Sequence, residues 1–248
     1  MTAPRLFDLK ALALHRARAQ RLAGDTFLTR DAQESIAERL AATNRAFDAR
    51  LVVDLDDNEA VAGEDGAFDL VTSTLLLHAV NDLPGVLRQI RNKLKPDGLF
   101  LGALFGGETL AELRHAFAAA EIETLGGITP RVAPFADVRD LGGLLQRAGF
   151  ALPVADVERT TVRYGNLFKL VRDLRAQGET NALAERSRKP LRRATLAALA
   201  AAYEPVAATF DIVYLTGWAP HASQPRPLKP GSARARLSDA LGTTERKF

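Results

Sequence analysis

Apolar residues along this chain fall into two kinds of run. Short, nearly unbroken runs occupy residues 51–54 (LVVD), 68–77 (FDLVTSTLLL) and 99–105 (LFLGALF). Runs of this length, apolar on both faces, predict strands buried inside a parallel sheet. Elsewhere apolar positions recur every three or four residues, the helical period. They do so over residues 9–22, over 31–40, and at Val86, Leu87, Ile90 and Leu94. The same period predicts helices over 109–121, 137–150, 166–176 and 190–203. Residues 154–164 and 210–218 read as two further strands.

Boundaries follow from turn chemistry. Asn81-Asp82-Leu83-Pro84 places a capping side chain and a proline at a helix start. Lys95-Pro96-Asp97-Gly98 reads as a turn, Gly106-Gly107 breaks the strand before it, and Gly149 closes a helix. Strand and helix in alternation predict an α/β fold with a mostly parallel sheet covered by helices. The last strand follows two helices, so an antiparallel placement is open to it. In this class ligands bind at the carboxyl ends of the strands. The reading divides the chain into a helical segment (1–50), an α/β domain (51–220) with a helical insertion near 165–205, and a basic tail (221–248).

Composition narrows the chemistry. The chain has 248 residues, 47% of them hydrophobic, and no cysteine, which removes disulfides, thiol nucleophiles and thiolate metal sites together. Four scattered histidines, His15, His78, His115 and His221, form no close ligand pair, so no metal is expected. No apolar run spans a bilayer and no secretory pattern opens the chain; a cytoplasmic protein is the expectation. Residues 1–185 carry 22 basic and 26 acidic groups, residues 186–248 carry 11 and 4. The basic end lacks interleaved aromatics, so it reads as a solvated tail with no specific nucleic-acid partner.

Residues 68–114 carry a family resemblance: Phe68-Asp69-Leu70-Val71 opening a strand, Leu77-His78 just past it, the helix from Asn81, and Leu94-Lys95-Pro96-Asp97-Gly98-Leu99. In this order they resemble the class I S-adenosylmethionine-dependent methyltransferases, a Rossmann-like sandwich. Asn81-Asp82-Leu83-Pro84, Gly106-Gly107-Glu108-Thr109-Leu110, Ala133-Pro134-Phe135 and the closing Gly217-Trp218 look like a narrower group. That group is related to the biotin-pathway carrier-protein methyltransferase, and its nearest-looking branch is linked to respiratory complex I assembly. The resemblance implies S-adenosylmethionine as cofactor and a protein or carrier-bound substrate.

One part of the family pattern is missing. A loop of the type D-x-G-x-G-x-G should follow the first strand, then a helix and a strand ending in a ribose-binding acid. Asp54 matches the first acid, but only 13 residues, 55–67, separate it from Phe68. A strand–helix–strand unit takes about 30 residues, so two cannot fit. The sheet is expected to be shortened at one edge, with residues 51–54 standing for the first or the third strand. Asp56, Asp57 and Glu59 read as a solvated acidic loop.

Within that frame Asp54, Ser73 and His78 are the candidate cofactor-binding residues. Gly106, Gly107 and Glu108 are the candidate substrate-binding residues, with Glu108 able to pair with a cation such as arginine. Tyr164 and Trp218 read as core. Two functions remain open: a methyltransferase with a degenerate cofactor site, or an inactive methyltransferase-like assembly factor. A homodimer through the shortened edge is open to either.

Overall fold

The computed structural model describes residues 5–22, 24 and 26–225. The expected basic tail lies outside the described residues from 226 onward. Five strands form one sheet in the order β1-β2-β3-β5-β4. They are β1 (Arg50–Val52), β2 (Phe68–Thr74), β3 (Leu94–Gly106), β4 (Ala151–Arg163) and β5 (Ala207–Trp218). The first three run parallel, Leu51 opposite Val71 and Val71 opposite Phe100. β5 inserts antiparallel between β3 and β4.

Seven α-helices accompany them among the described residues: α1 (Leu9–Leu22), α2 (Phe27–Ala42), α3 (Leu83–Lys93), α4 (Ala111–Leu125), α5 (Val138–Arg147), α6 (Leu167–Ala176) and α7 (Arg193–Ala202). Alternation along the strands splits the core in two. On one face Leu70, Leu101, Phe105 and Phe210 pack under α2, α4, α6 and α7. On the other, Val71, Phe100, Leu104 and Val213 pack under α3 and α5. A five-stranded sheet with helices on both faces bears out the expected class.

Two boundaries differ from the sequence reading. Residues 75–77 leave the sheet, because Leu75 turns to φ 44° and a 3₁₀ turn, Leu77–Ala79, follows. Residues 95–98 are absorbed into the start of β3, where a register shift takes up the turn.

The sheet order also decides which strand residues 51–54 represent. In doubly wound sheets the first strand lies beside the fourth, with the second and third outside it. β1 lies beside β2, the strand that opens with Phe68, and nothing pairs outside it among the described residues. It therefore holds the first strand's place, and among the described residues no strand lies beyond it. β1 is three residues long, and its Val52 is 71% exposed on the open edge.

Fifteen residues, 53–67, carry the chain from β1 to β2 without a helix. A bridge between Leu55 and Val61 ties the loop, and Val61 enters the core beside Val86 and Ile90. Asp56 accepts hydrogen bonds from the Asn58 and Ala60 N–H groups, both 2.8 Å, forming a tight turn.

Candidate functional site

A cavity of about 340 Å³ opens where β2 and β3 end and β5 begins. It is at the small end of ordinary ligand sites. The strands contribute Phe105 and Phe210, the loop after β2 contributes His78, and Phe135 closes one side. The roof comes from far away in sequence: Phe7 from the N-terminal arm and residues 179–182 after α6.

His78 follows β2 in the 3₁₀ turn, and its side chain is only 4% exposed. Its ring lies 4.8 Å from the Phe105 ring and 6.1 Å from that of Phe135, centre to centre. Nε2 lies 3.1 Å from Glu179 Oε2 and 3.2 Å from Oε1. A carboxylate only accepts, so Nε2 carries the proton. The other nitrogen, Nδ1, is buried with no partner among the described residues. In the neutral ring it is an acceptor. His78 and Glu179 thus present an acceptor pair in an otherwise phenylalanine-rich chamber.

Of the two cations that line the cavity, Arg131 is already committed. Its guanidinium binds Glu121, which is fully buried, at 2.6 and 2.7 Å. Burial by itself would raise the Glu121 carboxyl. The hydrogen bonds from Thr129 and Arg131 outweigh burial and hold it below the usual carboxylate range. Arg175 lines the rim with its side chain exposed.

Of the expected site residues, only His78 lines this cavity. Asp54 is exposed at the end of β1 and accepts its neighbour's Leu55 N–H at 2.9 Å. Ser73 is fully buried with its hydroxyl unpartnered, on the face of the sheet that Val71 shares. Phe105 and Phe210, which line the cavity, belong to the opposite core.

Gly106, Gly107 and Glu108 form a turn outside the cavity. A Cβ at Gly106 would meet Val213 at 2.5 Å, and one at Gly107 would meet Asp211 at 2.9 Å. Gly107 also has φ 47°, where side chains are rare. Asp211, held bidentately by Arg159 at 2.7 and 2.8 Å, accepts the Glu108 N–H at 3.1 Å. Close packing accounts for both glycines, and the Glu108 side chain faces solvent. Tyr164 and Trp218 pack against the α2 side of the core, as the sequence suggested.

Sequence reasoning missed Glu179 and Phe7. Glu179 is 101 residues from His78, in an aperiodic stretch between two helices. Nothing local marks it. Glu59, read as solvated, is buried: its carboxylate accepts the backbone N–H of Asn81 at 2.6 Å and of Asp82 at 3.0 Å. The reading failed because the loop folds back onto the N-terminus of α3, where unpaired N–H groups attract a carboxylate.

S-adenosylmethionine is the cofactor implied by the resemblance, and the residues here do not reproduce its usual cradle. Two residues past β1 stands an exposed aspartate, Asp54, no glycine loop or helix follows before β2, and among the described residues no second strand supplies a ribose-binding acid. The cavity touches neither β1 nor the crossover.

Comparison with known proteins places these features in a family. The methyltransferase domain family matches residues 17–153. The chain is 44% identical over 190 residues to the mitochondrial arginine-hydroxylase NDUFAF5 of Dictyostelium discoideum, covering 73% of this chain and 43% of that protein. It is 39% identical over 163 residues to a malonyl-[acyl-carrier protein] O-methyltransferase of Xylella fastidiosa, covering 63% and 53%. The chain thus spans about half the length of these curated relatives. The crystal structure of YcgJ from Bacillus subtilis superposes with a TM-score of 0.47 at 11% identity, over 76% of this chain and 99% of that one. The cytoplasmic expectation does not stand, since relatives at 42–44% identity are named as mitochondrial proteins. It had rested on the absence of spans and signals, and an absence carries no address. No helix among the described residues is long and apolar enough to cross a membrane.

Proposed function

We propose that this chain, which belongs to the S-adenosylmethionine-dependent methyltransferase family, receives an arginine side chain of a protein partner in the cavity beneath Phe7. The observation that carries the reading is the Glu179 carboxylate, held by His78 among phenylalanines at the strand ends. A guanidinium is flat, cationic and rich in N–H donors. It fits a chamber that offers one carboxylate, one unpartnered imidazole nitrogen and aromatic faces. The names of the relatives at 42–44% identity, arginine-hydroxylases, support the same side chain. A respiratory complex I subunit is the partner class that the resemblance implies.

The methyl-donor side is degenerate on this reading, and no step is routed through the donor. Its own residues bind and orient. Glu179 neutralises the incoming charge, His78 Nδ1 accepts one N–H, and the rings exclude water. A second reading takes a carrier-bound acid group on Arg175 at the rim, in line with the malonyl-carrier relatives.

Calorimetry with Nα-acetyl-arginine methylamide, its citrulline isostere and malonyl-pantetheine separates the two. The arginine reading expects saturable binding of the first and at least tenfold weaker binding of the neutral isostere. Equal binding of arginine and citrulline, or selective binding of the malonyl probe, overturns it. S-adenosylmethionine in the same cell is expected to show no saturable binding below about 1 mM.

A further inference from the structure

We propose that Glu59 is a positioning residue for the roof of the cavity: it fixes Asn81, and Asn81 fixes the N-terminal arm at Phe7. Phe7 is 5% exposed and lines the cavity. It is extended and paired on both edges. On one edge it bridges Leu183 through its neighbours, with Asp8 N–H on Ala182 O at 2.8 Å and Ala184 N–H on Leu6 O at 2.9 Å. That pattern turns Phe7's own N–H and C=O to the other edge. There the Asn81 amide takes both: Oδ1 accepts the Phe7 N–H at 2.8 Å, and Nδ2 donates to Phe7 O at 3.3 Å. A side-chain amide thus does what a neighbouring strand would do.

Asn81 is held in turn by Glu59. Glu59 Oε1 accepts the Asn81 backbone N–H at 2.6 Å and its Nδ2 at 3.2 Å, and Oε2 accepts the Asp82 N–H at 3.0 Å. Glu59 is itself fixed. It sits at φ 60°, an uncommon conformation for a residue with a side chain. Its N–H donates to Asp56 O at 3.0 Å, and its C=O accepts Gln89 Nε2 at 3.2 Å. An outlying backbone held on every side is the kind of feature that marks a functional constraint. The shortened crossover, which builds no donor cradle, is therefore committed to closing the cavity from outside the sheet. Asp8, pinned by Arg186 and Arg188, anchors the next residue of the arm.

The inference needs no ligand and stands apart from the arginine reading. Amide hydrogen exchange on the full chain tests it, with the core strands β2 and β3 as internal reference. Glu59→Ala is expected to speed exchange at Phe7 and Asp8 by about tenfold or more while β2 and β3 are unchanged. Glu59→Gln, which keeps one accepting oxygen and the fold, is expected to fall between. The Glu59→Ala/Asn81→Ala pair is expected to exchange no faster at Phe7 than Asn81→Ala alone, because both act through one link. Carbethoxylation of His78 is expected to accelerate in the same variants. Unchanged exchange at Phe7 in Glu59→Gln and Glu59→Ala overturns the proposal. So do additive effects in the pair, or a released arm with no gain in His78 reactivity.

Discussion

The two ends of the parallel sheet edge have gone different ways. At the ends of β2 and β3 a chamber survives, with a buried histidine, a carboxylate and a wall of phenylalanines. Just past β1 there is an exposed aspartate and a tight acidic turn. In the first region the polar groups His78 and Glu179 pair with each other and line the cavity. In the second the carboxylates go to backbone: Asp56 closes its own turn, and Glu59 accepts the N–H groups of Asn81 and Asp82 just ahead of α3. The Glu179 carboxylate meets a single imidazole N–H and faces the cavity, whereas the Glu59 carboxylate is held by two backbone N–H groups and the Asn81 amide. That distinction separates Glu179 from Glu59, although both are acidic loop residues in sequence.

The largest effect belongs to Glu179→Gln, which leaves the volume of the chamber and removes its charge. Affinity for Nα-acetyl-arginine methylamide is expected to fall on the order of 10- to 100-fold, the loss of a charge-assisted hydrogen bond. An unchanged calorimetric affinity would remove Glu179 from the site.

Next comes the turn that the sequence offered as a substrate rim. Gly107→Ala forces a Cβ to 2.9 Å from Asp211 at φ 47°. Denaturant unfolding is expected to show a loss of roughly 1–2 kcal/mol, with arginine-probe binding retained. Weaker binding without loss of stability would return Gly107 to the site.

The acid limb sharpens the same point. The Arg159 guanidinium first, with the Glu108 N–H, holds the Asp211 carboxyl below the usual carboxylate range, against burial. A depressed folded value stabilises above the unfolded value of about 3.9 and is lost as pH falls through the folded one. Arg159→Met is therefore expected to flatten the fall in thermal midpoint below about pH 4. The smallest effect is that of Asp54→Asn. Exposed and bonded only to its own neighbour's N–H among the described residues, it should shift stability by no more than about 0.5 kcal/mol and leave probe binding intact. A clear binding loss would place the site at β1.

Much of this protein was legible in sequence. Unbroken apolar runs in β2 and β3, the Asp82 cap with Pro84 behind it, and the 13-residue gap after Asp54 are local signals. They set the strands, the helix start and the missing units, because chain length and backbone chemistry leave few alternatives. The position of His78 was legible too: it lies just past the carboxyl end of β2, on the side of the sheet where this fold class opens its clefts. Tertiary structure alone decided the rest. It gave residues 51–54 the first strand's place, put β5 between β3 and β4, brought Glu179 to His78 across 101 positions, and buried Glu59 beneath Asn81. The reason is physical. Period and capping are written in neighbouring residues, whereas which carboxylate meets an imidazole and which meets a bare N–H depends on how distant segments close over the sheet.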